Sequence, residues 1–339
     1  MATSASRCPL LLLFLFSLVV LAAANDASKP LQRQTLVVTP LTSPAALLPD
    51  EDAAAAESLA TAADSEVNLL SFSSVDIHLS HRDSLLAVTS SPEQIFHLRL
   101  ERDAARVETL RHTLAAAVSA PPASVNVTGR RGFSSTVVSD RTSAGAPNRS
   151  SSVVFGDSAV PRASSRVAYT PMVRNPKVDT FYYIELTGVS VGGTRVSGVL
   201  ASDLRLDPMT GRGGVIVDSG TSVTRLARPA YEALRDAFKA GTAGLKVAPG
   251  GFSLFDTCYD LSGRTEVKVP TVVLHLAGGA AVSLPAENYL IPVDTNGTFC
   301  FAFAGTDSGV SIIGNIQQQG YRVVFDGEKS RLGFVQRGC

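Results

Sequence analysis

Val215-Ile216-Val217-Asp218-Ser219-Gly220-Thr221 decides the reading of this 339-residue chain. Three β-formers run straight into an aspartate, and Val223 and Leu226 resume the apolar pattern beyond it. A carboxylate at the end of a buried strand loses solvation, so something must hydrogen-bond it or use it. Ser219 and Thr221 supply hydroxyls beside it, and Gly220 lets the backbone turn where a Cβ would stand in the way. The segment reads as a strand that delivers one carboxylate into a tight, hydroxyl-lined turn.

Around that turn, 339 residues leave room for about two domains. Thirty Lys and Arg balance thirty Asp and Glu, so neither a nucleic-acid footprint nor an acidic tail stands out, and no nucleic-acid partner is expected. At the N-terminus, Arg7 precedes an apolar run from Leu10 to Leu21 that is too short to span a bilayer. Ala22-Ala23-Ala24 offers small residues for cleavage, so residues 1–24 read as a secretory signal. No later stretch is long and apolar enough for a membrane helix. Export makes the cysteines interpretable. Cys8 leaves with the signal, and in an oxidising compartment Cys258 is expected to pair with Cys300, both lying in the β-rich half. Cys339 is then odd, which points to a missing or intermolecular partner. Sequons at Asn126, Asn148 and Asn296 fit a secreted glycoprotein, with the apoplast, vacuole or plastid as destination.

Residues 25–70 are rich in Ala, Ser, Pro and Asp, lack periodicity, and are expected to be a disordered linker. Ser73–Leu79 alternates like a strand. Ser91 is a capping candidate before Pro92 at the first helical position. Phe96, Leu100, Val107, Leu110 and Leu114 then form one apolar face, while Arg99, Arg102, Arg106 and Arg111 read as solvated charges. Residues 119–150 form a second linker, with Arg130-Arg131 as a dibasic processing candidate. From residue 151 to 339 the pattern is all-β: Phe181–Val191 turning at Gly192-Gly193, Thr271–Leu276 turning into Ala281–Leu284, and a hairpin of Tyr321–Phe325 with Leu332–Val335. One helix interrupts it, with Pro229 at its start and Tyr231, Leu234 and Phe238 on one face.

Other chemistries find little support. After the second linker only His275 remains, in the alternating strand Val272–Leu276, and it reads as a surface strand histidine. Ser–His, Cys–His and His-based metal sites are therefore poorly supported, and neither metal nor cofactor is expected. Gly188-Val189-Ser190-Val191-Gly192 matches a nucleophile elbow, but that motif needs a following helix, and Gly193-Thr194-Arg195-Val196 reads as a hairpin. Asp307-Ser308-Gly309 repeats the Asp-Ser-Gly triplet, but Ala304-Gly305-Thr306 precedes it in place of an apolar strand. It reads as a polar turn.

Asp218 differs because its surroundings are complete. The apolar strand before it, Thr221 after it and Ile312-Ile313-Gly314 downstream together resemble the active-site loop of pepsin-like aspartic peptidases. Phe255-Asp256-Thr257-Cys258-Tyr259-Asp260, Phe299-Cys300-Phe301 and Gly314-Asn315-Ile316-Gln317-Gln318 point to the plant nepenthesin-like branch. The resemblance implies an all-β C-terminal lobe of a bilobal acid protease over 151–339, acting on protein or peptide substrates. In that lobe Asp218 is one catalytic carboxylate, and Thr221 hydrogen-bonds its outer oxygen. Ser219 and Gly220 complete the loop, which Ile312, Ile313 and Gly314 thread. His81-Arg82-Asp83-Ser84-Leu85 and the Arg102-Asp103 helix resemble the family's prosegment, so residues 71–118 are expected to cover the cleft until removed.

Family members carry a long β-rich lobe after a Gly132-Phe133-Ser134-Ser135-like start, whereas this chain moves within about fifteen residues to Ser152-Val153-Val154-Phe155-Gly156-Asp157, which resembles the strand joining the two lobes. No apolar-strand Asp-Thr-Gly occurs upstream; Asp179-Thr180-Phe181, Asp256-Thr257-Cys258 and Asp294-Thr295-Asn296 all lack the glycine. The N-terminal lobe is thus expected to be deleted, with little catalysis by the monomer. Two other readings stay open: a noncatalytic protein like the plant xylanase inhibitors, and a homodimer pooling one Asp218 from each copy.

Overall fold

The computed structural model describes residues 30–42, 74–79, 90–119, 134–138, 151–161 and 167–336. In chain order, strands β1 (Arg33–Val37) and β2 (Ser74–Leu79) precede helix α1 (Pro92–Ser119). Next come β3 (Ser135–Val138), β4 (Ser151–Gly156), β5 (Ala168–Val173), β6 (Tyr183–Ile184), β7 (Leu186–Val191) and β8 (Thr194–Arg195). The short helix α2 (Ala201–Leu204) leads to β9 (Val215–Val217), β10 (Thr224–Ala227) and α3 (Arg228–Gly241). Strands β11 (Cys258–Asp260), β12 (Glu266–Pro270), β13 (Val272–Leu276) and β14 (Ala281–Leu284) follow. The chain continues through β15 (Leu290–Pro292), β16 (Thr298–Phe301), β17 (Phe303–Thr306), β18 (Ser311–Ile313), α4 (Asn315–Gln318), β19 (Tyr321–Asp326) and β20 (Arg331–Gln336).

The β-rich half is organised by what its alternating apolar faces enclose. Strands β14, β13, β7 and β8 form one sheet, and β11, β16 and β15 another. A long sheet runs β17-β10-β18-β9-β6-β5-β20-β19-β3-β4-β2. Helix α3 closes the core. Its Leu234 and Phe238 are fully buried, and Phe238 stacks on Phe301 at 4.3 Å between ring centroids while meeting Tyr289 edge-on. Offset and edge-on contacts suit the ring quadrupoles, so the helix axis is fixed as well as its burial. Cys258 and Cys300 sit opposite each other on β11 and β16 and are joined by a disulfide.

Several expectations need correction. Residues 33–37, assigned to a disordered linker, form β1 against β12, with Leu36 buried in the main core. Composition alone hid this, because a single docked strand needs only one or two inward side chains. Ser135–Val138, placed in the second linker, is β3, inserted between β19 and β4. Phe181–Val191 is two strands in different sheets: β6 pairs with β5 and β9, whereas β7 pairs with β13 and β8. The leader, Asn126, Asn148, Arg130-Arg131 and Cys339 lie outside the described residues. Among the described residues, no helix is long and apolar enough to cross a membrane.

Candidate active site around Asp218

Strand β9 carries Asp218 to the end of a fully buried run, and β18 lies parallel beside it, pairing Ile312 with Ile216 and Ile313 with Val217. Because β18 also pairs with β10, it is threaded between the two strands that flank the aspartate turn. The thread is tied on both sides. The Asp218 amide donates to the Ile313 carbonyl at 3.1 Å, and the Asn315 and Ile316 amides donate to the Thr221 and Ser222 carbonyls at 2.7 and 3.0 Å. The Gly314 amide donates to Thr224 Oγ1 at 2.8 Å. A Cβ on Gly314 would stand 2.7 Å from the Ser222 carbonyl oxygen, so only glycine lets the chain pass there. Ile312, Ile313 and Gly314 therefore meet the Asp218 turn through backbone contacts that fix its shape.

The carboxylate itself is saturated. Gly220 N–H donates to Oδ1 at 3.0 Å and Thr221 Oγ1 donates to Oδ2 at 2.7 Å. The other two donors come from α1. Arg106 Nη2 reaches Oδ1 at 2.8 Å and Nε reaches Oδ2 at 2.9 Å, a two-pronged guanidinium–carboxylate pair. Two donors on each oxygen use the carboxylate's accepting capacity. A Cβ on Gly220 would lie 2.6 Å from Arg106 Cζ, so this glycine also clears the path for the guanidinium. Ser219 is half-exposed, and its hydroxyl is not one of the four donors.

A second carboxylate anchors the helix one turn earlier. Asp103 Oδ1 accepts from the Val223 amide at 3.1 Å and from the Ser222 amide at shorter range. Its Oδ2 lies 2.6 Å from Arg225 Nη1, close enough for an ion pair although not aligned as a hydrogen bond; the same nitrogen donates to the Val223 carbonyl. The pair is sealed, with the Asp103 side chain 0% and the Arg225 side chain 9% exposed. On either side of this centre, Phe96 and Leu100 pack against Val223, Phe255 and Ile291, while Leu110 and Leu114 pack against Tyr183, Ile216 and Ile312. The helix thus straddles the Asp218 turn, held by apolar contacts at both ends and by two charges in the middle.

These contacts set the electrostatics. Burial pushes the Asp218 carboxyl up, but the Arg106 guanidinium, the Thr221 hydroxyl and the Gly220 amide outweigh it and hold the group below the ordinary aspartate range. These contacts favour the ionised form of Asp218, and its carboxylate is fully hydrogen-bonded. A carboxylate in this state has no free lone pair to take a proton from a water.

Sequence reasoning brought Asp218, Gly220, Thr221, Ile312, Ile313 and Gly314 to one neighbourhood, but gave the 45%-exposed Arg106 no partner, named Asp103 only within the prosegment resemblance, and passed over Arg225. A signal for Asp103 existed: it falls within the apolar stripe at Phe96, Leu100, Val107, Leu110 and Leu114, where a charge demands a partner. His275 is half-buried, and its Nε2 lies 2.7 Å from Ser190 Oγ, the serine of the rejected elbow motif. Burial and nearby Arg195 hold that imidazole below its ordinary range, and the pair sits within a β-sheet where strand β8, not a helix, follows the strand that carries the serine. Asp307 pairs with Arg228 in the turn between β17 and β18. Asn296 is exposed in the turn between β15 and β16. Among the described residues, no cluster of ligating side chains could hold a metal.

Residues 181–336 match the family model described as xylanase inhibitor C-terminal. Aspartyl protease family protein 2 of Arabidopsis thaliana is 67% identical over 195 residues, which cover 57% of this chain and 39% of that protein. Aspartic proteinase nepenthesin-1 of Nepenthes gracilis is 39% identical over 171 residues, covering 50% of this chain and 38% of the other. The chain spans about two fifths of the length of these curated relatives. A solved structure of edgp aligns with a TM-score of 0.51 at 20% identity, covering 60% of this chain and 54% of edgp, and speaks to fold alone.

Proposed function

We propose a function from one premise: the C-terminal half of this chain belongs to the plant nepenthesin-like, pepsin-type aspartic peptidases. Asp218 is one of two carboxylates that such a centre needs. Two carboxylates about 3 Å apart cannot both ionise, so they share a proton; the ionised one draws a proton from a bound water while the protonated one polarises the scissile carbonyl. The balanced outcome is addition of water across a peptide bond at acidic pH. This chain offers one such loop and is catalytically silent as a monomer, because its N-terminal lobe, with the second carboxylate, is deleted between β3 and β4.

Residues 71–118 act as a prosegment. The observation that carries this is the Arg106–Asp218 pair, which takes the lone pairs that a catalytic water and a partner carboxylate would use. The edge strand β2 supports a missing lobe, since Val75, Ile77 and Leu79 are 48%, 45% and 40% exposed. Pairing of two copies across Asp218 requires α1 to leave first. The chain is exported and acts, when complete, on protein or peptide substrates.

A second reading, a noncatalytic binding protein, is favoured by the single Asp loop and by the description of the matching family model. Acid-pH digestion of haemoglobin beside a xylanase inhibition assay separates the two. The first reading expects no inhibition, and digestion only after the missing lobe from the Arabidopsis relative is added, with loss on Asp218→Asn. Xylanase inhibition by the chain alone would overturn it.

A further inference from the structure

Strand β1 makes a second, separate attachment to the lobe, on a different edge from α1. It pairs antiparallel with β12 over five residues, from Arg33 opposite Pro270 to Val37 opposite Glu266. Backbone bonds extend the ladder at both ends: Gln32 N–H to the Gly192 carbonyl at 2.8 Å, Thr271 N–H to the Gln32 carbonyl at 3.0 Å, and Val38 N–H to the Thr265 carbonyl at 2.9 Å. β12 has β1 as its strand partner in a two-stranded sheet, so without β1 it would present an open edge.

The side chains are read as well as the backbone. Leu36 is 2% exposed and joins the main core with Val267, Val269 and Tyr289. Two residues earlier on the same face, Gln34 Nε2 donates to Tyr289 Oη at 2.6 Å and to the Leu284 carbonyl at 2.9 Å. Tyr289 Oη in turn donates to the Pro270 carbonyl at 2.7 Å. Leu31 and Gln32 lie where a Cβ on Gly192 or Gly193 would collide with them, at 1.9 and 2.6 Å respectively. The lobe thus covers Leu36 and holds Gln34, while the exposed Leu31 and Gln32 lie over Gly192 and Gly193, along an edge that also supplies main-chain bonds. Main-chain pairing gives affinity in such arrangements, and alternate side chains give specificity.

We propose that the β12 edge is a binding site for an extended peptide of the pattern Leu-Gln-x-Gln-x-Leu, and that residues 31–36 are its resident ligand. The strand is a structural part of the lobe held by non-covalent contacts, and it stays in place when the chain between it and α1 is cut. This holds whether or not Asp218 serves catalysis.

The test uses the full chain with a specific protease site inserted between Pro44 and Ala45. After cutting, gel filtration with mass spectrometry asks whether the N-terminal fragment travels with the lobe. A labelled synthetic peptide of residues 30–41 is then exchanged against it, so that variants reside in the peptide and leave the lobe's own folding untouched. The expected results are co-elution, displacement by the labelled peptide, and release faster by roughly 30-fold or more for a Leu36→Ala peptide. A Gln34→Ala peptide is expected to leave about tenfold faster than the unaltered one. Separation of the fragment on cutting, with α1 and the lobe still folded by circular dichroism and hydrogen exchange, overturns the proposal. So does equal competition by a Leu36→Asp peptide.

Discussion

Asp103→Ala is the substitution that probes the helix–lobe attachment most severely. It leaves the Arg225 guanidinium, with a side chain 9% exposed, facing the space where its counter-charge stood. It also strips an acceptor from the Ser222 and Val223 amides. Removing one partner of a buried pair costs about 3–5 kcal/mol, because the remaining charge keeps its desolvation penalty and loses its compensation. The loss has a ceiling, however. Once α1 lifts away, water can reach Arg225, so the cost cannot exceed the free energy that holds the helix on the lobe. The expected signature is local. In native-state hydrogen exchange at neutral pH, amides of α1 should open about 100-fold more readily or beyond, whereas the β13–β7 amides should change far less. Asp103→Asn, which keeps an acceptor for the two amides but not the charge, should fall between. If the α1 amides of Asp103→Ala exchange within about threefold of the wild type, a difference under 1 kcal/mol, the attachment reasoning is wrong.

Three further outcomes follow from the same contacts. Replacing Cys258 and Cys300 together by Ala removes a cross-link spanning 42 residues, worth about 4 kcal/mol by loop entropy, which a denaturant midpoint shift would report. Thr221→Val deletes a donor to ionised Asp218, so the carboxyl rises. A depressed carboxyl stabilises the fold above its unfolded value of about 3.9 and loses that stability as pH falls through the folded value; the variant should therefore begin acid unfolding at a higher pH, seen by circular dichroism. Phe238→Ala empties the stack against Phe301 and should cost about 3–5 kcal/mol in urea denaturation, with the whole β-rich half melting as one unit.

The legibility of this chain divides along a physical line. The Asp218 turn, the threading Ile312-Ile313-Gly314 segment and helix α3 could be read because each is a local pattern: an apolar run, a glycine and a hydroxyl at fixed offsets. Ser91 and Pro92 marked the start of α1 for the same reason, and the Gln94 amide does donate to Ser91 Oγ at 3.2 Å. What escaped was non-local. Arg106 reads as one of several solvated arginines until the fold places residue 218 opposite it. β1 escaped because an edge strand docks through register with a partner more than two hundred residues away, and that register leaves no periodic mark in a five-residue strand. The break at Glu185 was likewise invisible, since β6 and β7 share one apolar composition and differ only in which sheet each joins.

A carboxyl ¹³C titration of Asp218, in the wild-type chain and in Arg106→Gln, tests most directly whether the helix arginine holds this carboxylate shut. The midpoint is expected below the ordinary aspartate range in the wild type and to move upward in the variant. A wild-type midpoint at or above the ordinary value, unmoved by loss of the guanidinium, would show that Arg106 does not hold the carboxylate down.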